Sequence, residues 1–415
     1  MKDNTFDIRR FKNSLKFIKF NRFIKEKPMM FDVKKRIFSL TLLAATVVVG
    51  LLLPHIVMAQ GESAVPFLLI APNARNDGMG ESGAALADDA SASFWNPAGL
   101  AFRKDQEISL THSNWLPQFN LPDLFYEFFS YNNYLENLGG TISASVIYLN
   151  LGEFVETGPN GPDNVLGTFK AFEFAVTGGY ATKITNDLGL GLNLRYIHSS
   201  LANINVQNQG RTGVASTVSF DIAALWRPTS LVLPLAGNIE DRFSLGVNLS
   251  NLGPKLTYID AAQADPLPTY LRLGLGYKAV KSEYNNLTAV IDFSRLMVRR
   301  YAGVTDSLTG EIITPASVDN LPKSLISAWG DGGLKKVIIS GGFEYWYGSP
   351  KLIALRWGYF YERPEYGNRK FMTFGAGIRY DIYGFDFSYL SAIEENNPLS
   401  ETLRFTLLIS WGGQE

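Results

Sequence analysis

The sequence predicts an all-β fold, an antiparallel transmembrane β-barrel of about 14 strands with an N-terminal plug segment. Apolar and polar residues alternate through most of the chain after residue 105, which is the period of a β-strand. The alternating runs are about 9–13 residues long, close to the length that a tilted strand needs to cross a bilayer. Aromatic residues often stand at the ends of the runs, as in the interfacial girdles of outer-membrane barrels.

The composition supports sheets and excludes several classes of protein. The chain has 415 residues, with 38 glycines and 13% aromatic residues, a mixture that suits strands better than helices. A mean hydropathy of +0.01 is too polar for a bundle of membrane helices. The absence of cysteine excludes disulfides, thiolate zinc sites and cysteine nucleophiles. Only three histidines are present, so we expect neither a multi-histidine metal site nor a cofactor.

The N-terminal region reads as a targeting segment. Residues 1–59 hold 12 basic and 4 acidic residues, which leaves 26 basic and 35 acidic residues in the remainder. A basic cluster at 34–36, an apolar stretch at 37–57 and Val57-Met58-Ala59 before Gln60 match a cleaved secretory signal. We therefore expect a signal peptide at 30–59, with 1–29 an extension from a start site placed too early. The alternative for this stretch is an uncleaved membrane anchor.

The strands follow from the alternation. In 188–196, leucines and a tyrosine at every second position oppose Gly189, Gly191, Asn193 and Arg195. A soluble sandwich would turn such an apolar face inward, whereas an outer-membrane barrel turns it toward lipid. The predicted strands are 106–115, 123–131, 138–150, 168–181, 188–199, 216–227, 242–250, 269–279, 285–296, 334–347, 351–361, 370–381, 383–391 and 402–412.

The connections between these runs predict the orientation of the barrel. With the first strand running outward, the outer connections include 151–167 and 297–333, and the inner ones are short apart from 228–241. Bacterial outer-membrane barrels have short periplasmic turns and longer extracellular loops. The sequence therefore predicts an integral outer-membrane barrel over 106–415 that is exported through a cleaved signal peptide.

Charged residues on the polar face of the strands are expected to point into the lumen. Isolated charges are rarely left unpaired in confined sites, so a structural charge lattice is favoured over a selective channel. The candidate lattice comprises Glu173, Arg195, Asp221, Arg272, Arg356, Arg379 and Arg404.

Residues 60–105 do not alternate, and they are long enough to fold into the mouth of a barrel as a hatch or plug. Residues 78–83 match G-x-G-x-x-G, but a dinucleotide site needs a βαβ unit, and the chain downstream is a β-meander. Glycines that permit tight backbone turns are the favoured interpretation. We expect no nucleic-acid partner.

This segment carries a resemblance to a known family. Trp95-Asn96-Pro97-Ala98 before fourteen strands looks like the FadL-type outer-membrane barrels. The strings at 65–68, 71–75, 78–80 and 94–98 are closer still to the PorV/PorQ family of the type IX secretion system in Bacteroidetes. The residues assigned to the hatch motif, with a structural or gating role, are Gly78, Gly80, Trp95, Asn96 and Pro97.

The resemblance implies a function that the composition cannot show. It implies a non-enzymatic barrel that accepts cargo proteins bearing C-terminal signal domains from the type IX translocon barrel. The cargo would pass to a cell-surface attachment complex with a sortase-like component. Membrane lipid and lipopolysaccharide would surround the barrel. By the same implication, outer loops grip the cargo while the hatch keeps the lumen closed.

The loop 297–333 is the candidate partner-binding surface because it is unusually apolar for a solvated connection. The alternative is that this loop folds inward onto the barrel mouth. Its candidate contact residues are Tyr301, Leu308, Ile312, Ile313 and Trp329.

Two other functions remain open. A FadL-like transporter of hydrophobic small molecules would need an apolar path past the hatch, which several inward arginines disfavour. An enzyme would need a nucleophile with a positioned base, and neither His112 nor His198 stands in a recognisable catalytic spacing. We therefore expect no catalytic residues.

Overall fold

The computed structural model describes residues 63–119, 121, 123–158, 160–161, 163–202, 213–233, 237–259, 264–306, 312–395 and 397–412. The predicted extension at 1–29 and the predicted signal peptide at 30–59 lie outside these residues. Within the described part of the chain, none of the helices has the length and apolar character needed to span a bilayer.

Fourteen strands of the described residues form one closed antiparallel barrel, in which each strand pairs with its neighbours in the sequence and the last pairs with the first. The prediction of a barrel of about fourteen strands is confirmed. The strands are β1 Gln106–Asn114, β2 Phe125–Leu135, β3 Gly140–Thr157, β4 Val165–Lys183, β5 Leu188–Ser200, β6 Val214–Trp226, β7 Phe243–Leu252, β8 Tyr270–Lys281, β9 Asn285–Leu296, β10 Ile338–Tyr347, β11 Ile353–Tyr361, β12 Lys370–Tyr380, β13 Tyr383–Ala392 and β14 Leu403–Trp411.

The alternating pattern places apolar side chains outside the barrel and polar side chains inside it. On β5, Leu192 and Leu194 are 56% and 66% exposed, whereas Asn193 and Arg195 are both 4% exposed. An apolar exterior of this kind is stable in lipid and not in water, because lipid removes the cost of hydrating it.

Aromatic rings form girdles near both ends of the outer wall. At the outer end, the rings of His112, Phe125, Tyr148, Phe172 and His198 follow one another across β1 to β5 at centroid distances of 5.9–6.2 Å. Both histidines therefore belong to this girdle. Such belts sit at the level of the lipid headgroups.

The β3–β4 hairpin is longer than the sequence predicts, because its ladder continues beyond the alternating region. Phe154 pairs with Phe169, and their rings stack with centroids 5.7 Å apart. Pairing outside the membrane does not require an alternating pattern, so the predicted loop 151–167 is mostly strand.

The long connection after β9 also contains regular structure. It holds two short strand pairs, Arg300–Tyr301 with Ser317–Val318 and Val304–Thr305 with Ile312–Thr314. A helix at Leu321–Ser327 and two 3-10 turns, Ala328–Gly330 and Gly333–Lys336, lead back to β10.

The segment before β1, described from residue 63, is called the hatch. It contains helix α1 Ala74–Asp77, helix α2 Ala92–Trp95 and two 3-10 turns, Pro66–Leu69 and Pro97–Phe102. Nearly all of its residues are buried against lumen-facing strand residues. It runs from the outer end, where the Ala64 amide donates to the Pro266 carbonyl at 2.9 Å, to the inner end of β1.

Candidate functional site

The hatch lies against the wall at positions where the strands have glycine. A Cβ on Gly246 would lie 1.8 Å from the Ala84 carbonyl oxygen, and one on Gly358 would lie 2.0 Å from the Gly80 nitrogen. A Cβ on Gly191 would lie 2.3 Å from the Ala98 nitrogen. Inward-facing glycines therefore let the hatch backbone approach the strands closely.

The candidate motif residues sit within this contact. Gly78 follows α1 and packs on Gly375, and Gly80 adopts a φ of +71°, a backbone conformation that favours glycine. The Trp95 indole Nε1 donates to Asn73 Oδ1 at 2.8 Å, and Pro97 occupies the first turn of its 3-10 helix.

Asn96 joins the two ends of the motif to the wall. Its side-chain Oδ1 accepts from the Ala98 amide at 3.1 Å and caps the following 3-10 turn. Its Nδ2 donates to the Ala84 carbonyl at 2.7 Å and to the Ala224 carbonyl of β6 at 3.1 Å. A buried amide with this many partners fixes the local backbone.

Buried ion pairs join the hatch to the strands. Asp77 of α1 accepts from Arg404 Nη1 of β14 at 2.5 Å and from the Ser388 hydroxyl of β13 at 2.6 Å. The side chains of Asp77 and Arg404 are 0% and 1% exposed. Hydrogen bonds between charged groups are about twice as strong as neutral ones, so this contact is a principal anchor.

Arg75 is the centre of a second anchor. Its guanidinium donates to both carboxylate oxygens of Glu344 at 2.7 and 2.8 Å, and to Asp88 and Asp89 at 2.5 and 2.9 Å. Glu344 also accepts from Arg356 Nε at 2.9 Å.

The network continues along the wall from Arg356. Arg356 Nη1 donates to Asp386 at 2.9 Å, and Arg379 donates to the other oxygen of Asp386 at 2.8 Å. Charges from both the hatch and four strands, β10 to β13, therefore belong to one connected group.

A third anchor uses backbone donors of the hatch. The amides of Gly83 and Ala84 both donate to Asp292 Oδ2 of β9 at 2.9 Å. Asp292 is 0% exposed, so its charge depends on these donors and on the nearby Arg272.

The structure places all seven candidate lattice residues on the lumen side of the wall but does not join them into one lattice. Arg195 pairs with Asp221 at 2.8 Å, whereas Glu173 accepts from the Ser199 hydroxyl at 2.7 Å. Arg272 lies 4.8–5.1 Å from the ring centroids of Tyr270, Phe94 and Trp95.

Sequence reasoning missed the partners of the remaining arginines. Glu344 and Asp386 alternate with outward aromatic residues on their strands. This alternation would have placed both carboxylates on the lumen side. Asp77 and Arg75 lie in the non-periodic hatch, so no alternation could have identified them.

An apolar cluster lies inside the barrel toward its outer end. Residues of the first hatch turn pack against inward side chains of β2 to β5 and of the connection after β7. The buried members include Phe67, Leu68, Tyr126, Phe128, Ile147, Leu149, Ile197, Leu256 and Leu267.

The outer loops expose apolar side chains. Ile312 and Ile313 are 72% and 65% exposed, and Tyr301 and Trp329 are 38% and 39% exposed. The Arg299 and Arg295 Cζ atoms lie 4.9 and 4.8 Å from the ring centroids of Tyr301 and Trp329. Leu308, the fifth candidate, lies outside the described residues. The alternative, that the loop 297–333 folds inward onto the barrel mouth, holds only for the part around Ala328, which is fully buried.

The β3–β4 hairpin adds a second apolar surface at the same end. Phe154, Val155, Val165 and Leu166 are all exposed beyond the girdle. Phe154 and Val155 are neighbours in sequence and so point to opposite faces of the hairpin, and both are exposed. This end of the hairpin therefore does not pack on the barrel.

Comparison with known proteins decides the family. The family model of the type IX secretion system protein PorV matches residues 59–302, more than half of the chain. The chain belongs to the PorV family. The predicted family is thereby confirmed, and this PorV-family chain is an integral outer-membrane barrel. No curated protein sequence matches it significantly.

The chain is similar in structure to solved barrels, and the fold it shares is shown by the first of these. The P. putida toluene transporter TodX is 14% identical, with 83% of this chain and 99% of that chain covered and a TM-score of 0.50. The Ralstonia pickettii toluene transporter TbuX is 14% identical over 81% and 97% of the chains, with a TM-score of 0.45. A Pseudomonas aeruginosa FadL homologue is 13% identical over 82% and 98%, with a TM-score of 0.46.

Proposed function

We propose that this PorV-family barrel binds cargo proteins bearing C-terminal signal domains, at or after the type IX translocon, and passes them to the surface attachment complex. The observation that supports this role is the exposure of apolar side chains on two outer surfaces, one with Ile312 and Ile313 and the other on the β3–β4 hairpin. Exposed apolar patches rimmed by polar residues mark protein-binding sites. The hatch, which is buried inside the barrel, favours binding outside the barrel over passage through it.

The role of the hatch in this proposal is to keep the barrel shut. Buried charges of Arg75, Asp77 and Asp292 tie it to the strands, so opening would leave several charges unpaired. The proposal also gives a gating role to five residues of the hatch: Gly78, Gly80, Trp95, Asn96 and Pro97.

The loop prediction uses the double variant I312D/I313D. Two charges in an apolar interface are expected to reduce co-purification with the translocon and cargo at least tenfold, because charges at an interface core must be desolvated. The measurement is a mild-detergent pull-down of the tagged protein from outer membranes, analysed by mass spectrometry, with cargo export followed in a complemented deletion strain.

The matched control is V232D. Val232 is 71% exposed, as open as Ile312, but lies in the connection between β6 and β7 at the inner end. The control should retain partners and export. Undiminished co-purification and export by I312D/I313D would remove this loop from the proposal.

A transporter of hydrophobic small molecules is the alternative, favoured by Arg272, which is buried among the rings of Phe94, Trp95 and Tyr270. A carboxylate on an apolar ligand would suit that surrounding. Normal hydrophobic uptake with disturbed secretion in a deletion strain would decide against it.

The domain boundaries yield a simple prediction. We expect protein isolated from outer membranes to begin at Gln60, because Val57 and Ala59 meet the requirement for small residues before the cleavage site. N-terminal sequencing checks this, and a mature chain that retains residues 37–57 would instead establish an anchor.

A further inference from the structure

A cleft at the inner end of the barrel is unrelated to the surfaces described above. It lies where the hatch turn Pro97–Phe102 meets the ends of β4, β6 and β8, and it encloses about 350 Å³. Its lining includes Phe102, Lys183, Arg227 and Lys278.

The lining is strongly positive. It contains five basic side chains, Lys183, Arg227, Arg242, Lys278 and Lys281, and two acidic ones, Asp88 and Asp241.

Each of the two carboxylates forms an ion pair with a basic side chain. Asp88 accepts from Arg75 at 2.5 Å, and Asp241 lies 3.6 Å from Lys281. Among the described residues, no carboxylate lies within salt-bridge distance of Lys183, Arg227 or Lys278. Three cations therefore lie at one cleft without salt bridges of their own among the described residues, and the lining keeps an excess of positive charge.

Phe102 holds two of these cations together. The Lys183 Nζ lies 4.9 Å from its ring centroid and the Arg227 Cζ lies 5.2 Å from it. The ring attracts each cation but carries no net charge, so it positions both without neutralising them.

The carboxylates around Arg227 do not offset the cost of its burial. Burial lowers the pKa of Arg227; Asp88 opposes this shift, and Arg75 and Arg103 add to it, so the pKa stays below its ordinary value. By contrast, Glu107 and Asp105 raise the pKa of Arg103 above its ordinary value despite burial.

The cleft borders the lipid interface. Trp226 packs edge-on against Phe243 at 6.1 Å, and Phe243 pairs with Tyr277 on the outward face of β7 and β8. This aromatic group marks the headgroup level of the inner leaflet. Basic pockets of membrane proteins at that level bind anionic headgroups.

We propose that this cleft binds a phosphate group, carried by an anionic phospholipid of the inner leaflet or supplied as free phosphate. Arg227 presents a planar fork of donors to the phosphate oxygens, and Lys183 and Lys278 add charge from either side. This inference goes beyond the proposed function and does not rest on it.

The test uses the full chain and the triple variant K183Q/R227Q/K278Q. The matched control is K104Q, an exposed lysine just before β1 on the same inner rim but outside the cleft. Heat-modifiable mobility on gels establishes that each variant retains a folded barrel.

The first probe is a bilayer disc with equal phosphatidylglycerol and phosphatidylcholine, and the second is inorganic phosphate followed by calorimetry. Native mass spectrometry should show phosphatidylglycerol enriched on the wild type and on K104Q, with at least a fivefold loss in the triple variant. Phosphate binding without lipid enrichment, weakened equally by the triple substitution, assigns the site to free phosphate. Binding of neither probe, competition only by an acidic peptide, or equal losses in K104Q would overturn the proposal.

Discussion

Arg404→Met is expected to lower the free energy of unfolding by about 3–5 kcal/mol, because it leaves the Asp77 carboxylate buried without its cation. Methionine has a similar length and fills the space, so the loss reports charge and hydrogen bonding more than a cavity. Denaturant unfolding of the purified barrel, followed by heat-modifiable mobility, measures this change.

The double variant D77N/R404M tests whether the loss comes from the pair. Removing both charges should cost less than the sum of the two single substitutions, because neither partner is then left ionised and buried. The exposed pair Lys281–Asp241 is the control, and Lys281→Met should change stability by less than about 1 kcal/mol. Additive single effects would show that Asp77 and Arg404 act separately.

The barrel was predictable because apolar and polar residues alternate along each membrane-crossing strand. The observed β9, Asn285–Leu296, has the predicted limits, and β5 differs by one residue at its end. Lipid outside and polar packing inside impose that alternation on each crossing strand. Where the constraint ends, as beyond Asn150 on β3, the predicted limits fail.

The lumen was predictable in part. Parity placed Arg195, Asp221 and Arg404 on the inner face, because side-chain direction follows from the strand alone. Predicting which charges form ion pairs would also have required the register between strands and the path of the hatch. For example, Arg404 binds Asp77, which is 327 residues away in sequence and lies in a segment without alternating polarity.

The glycines of β5 carry a signal that only the tertiary structure explains. The alternation places Gly189 and Gly191 on one face of β5, yet the reason for glycine there is the hatch turn Pro97–Phe102 beside them. The exposure of Ile312 and Ile313 was likewise not decided by their apolar character, because a loop can fold either way.

Gly358→Ala is expected to release the central part of the hatch. The new Cβ would lie 2.0 Å from the Gly80 nitrogen and 2.2 Å from the Met79 carbonyl carbon, both backbone atoms that cannot rotate away. The hatch must retreat, which breaks the hydrogen bond from the Gly80 amide to the Thr373 hydroxyl at 2.9 Å. Overpacking of this kind costs about 1–3 kcal/mol or more.

Gly178→Ala is the matched control, because that glycine faces outward on β4 and a Cβ there meets nothing within 4 Å. In planar bilayers Gly358→Ala should conduct ions, and the hatch should become sensitive to added protease, while Gly178→Ala stays closed and resistant. Gly246→Ala, which meets the Ala84 carbonyl at 1.8 Å, should behave like Gly358→Ala. If both inward variants stay closed, the anchors at Asp77, Arg75 and Asp292 hold the hatch without close backbone contact, and the barrel wall must yield instead.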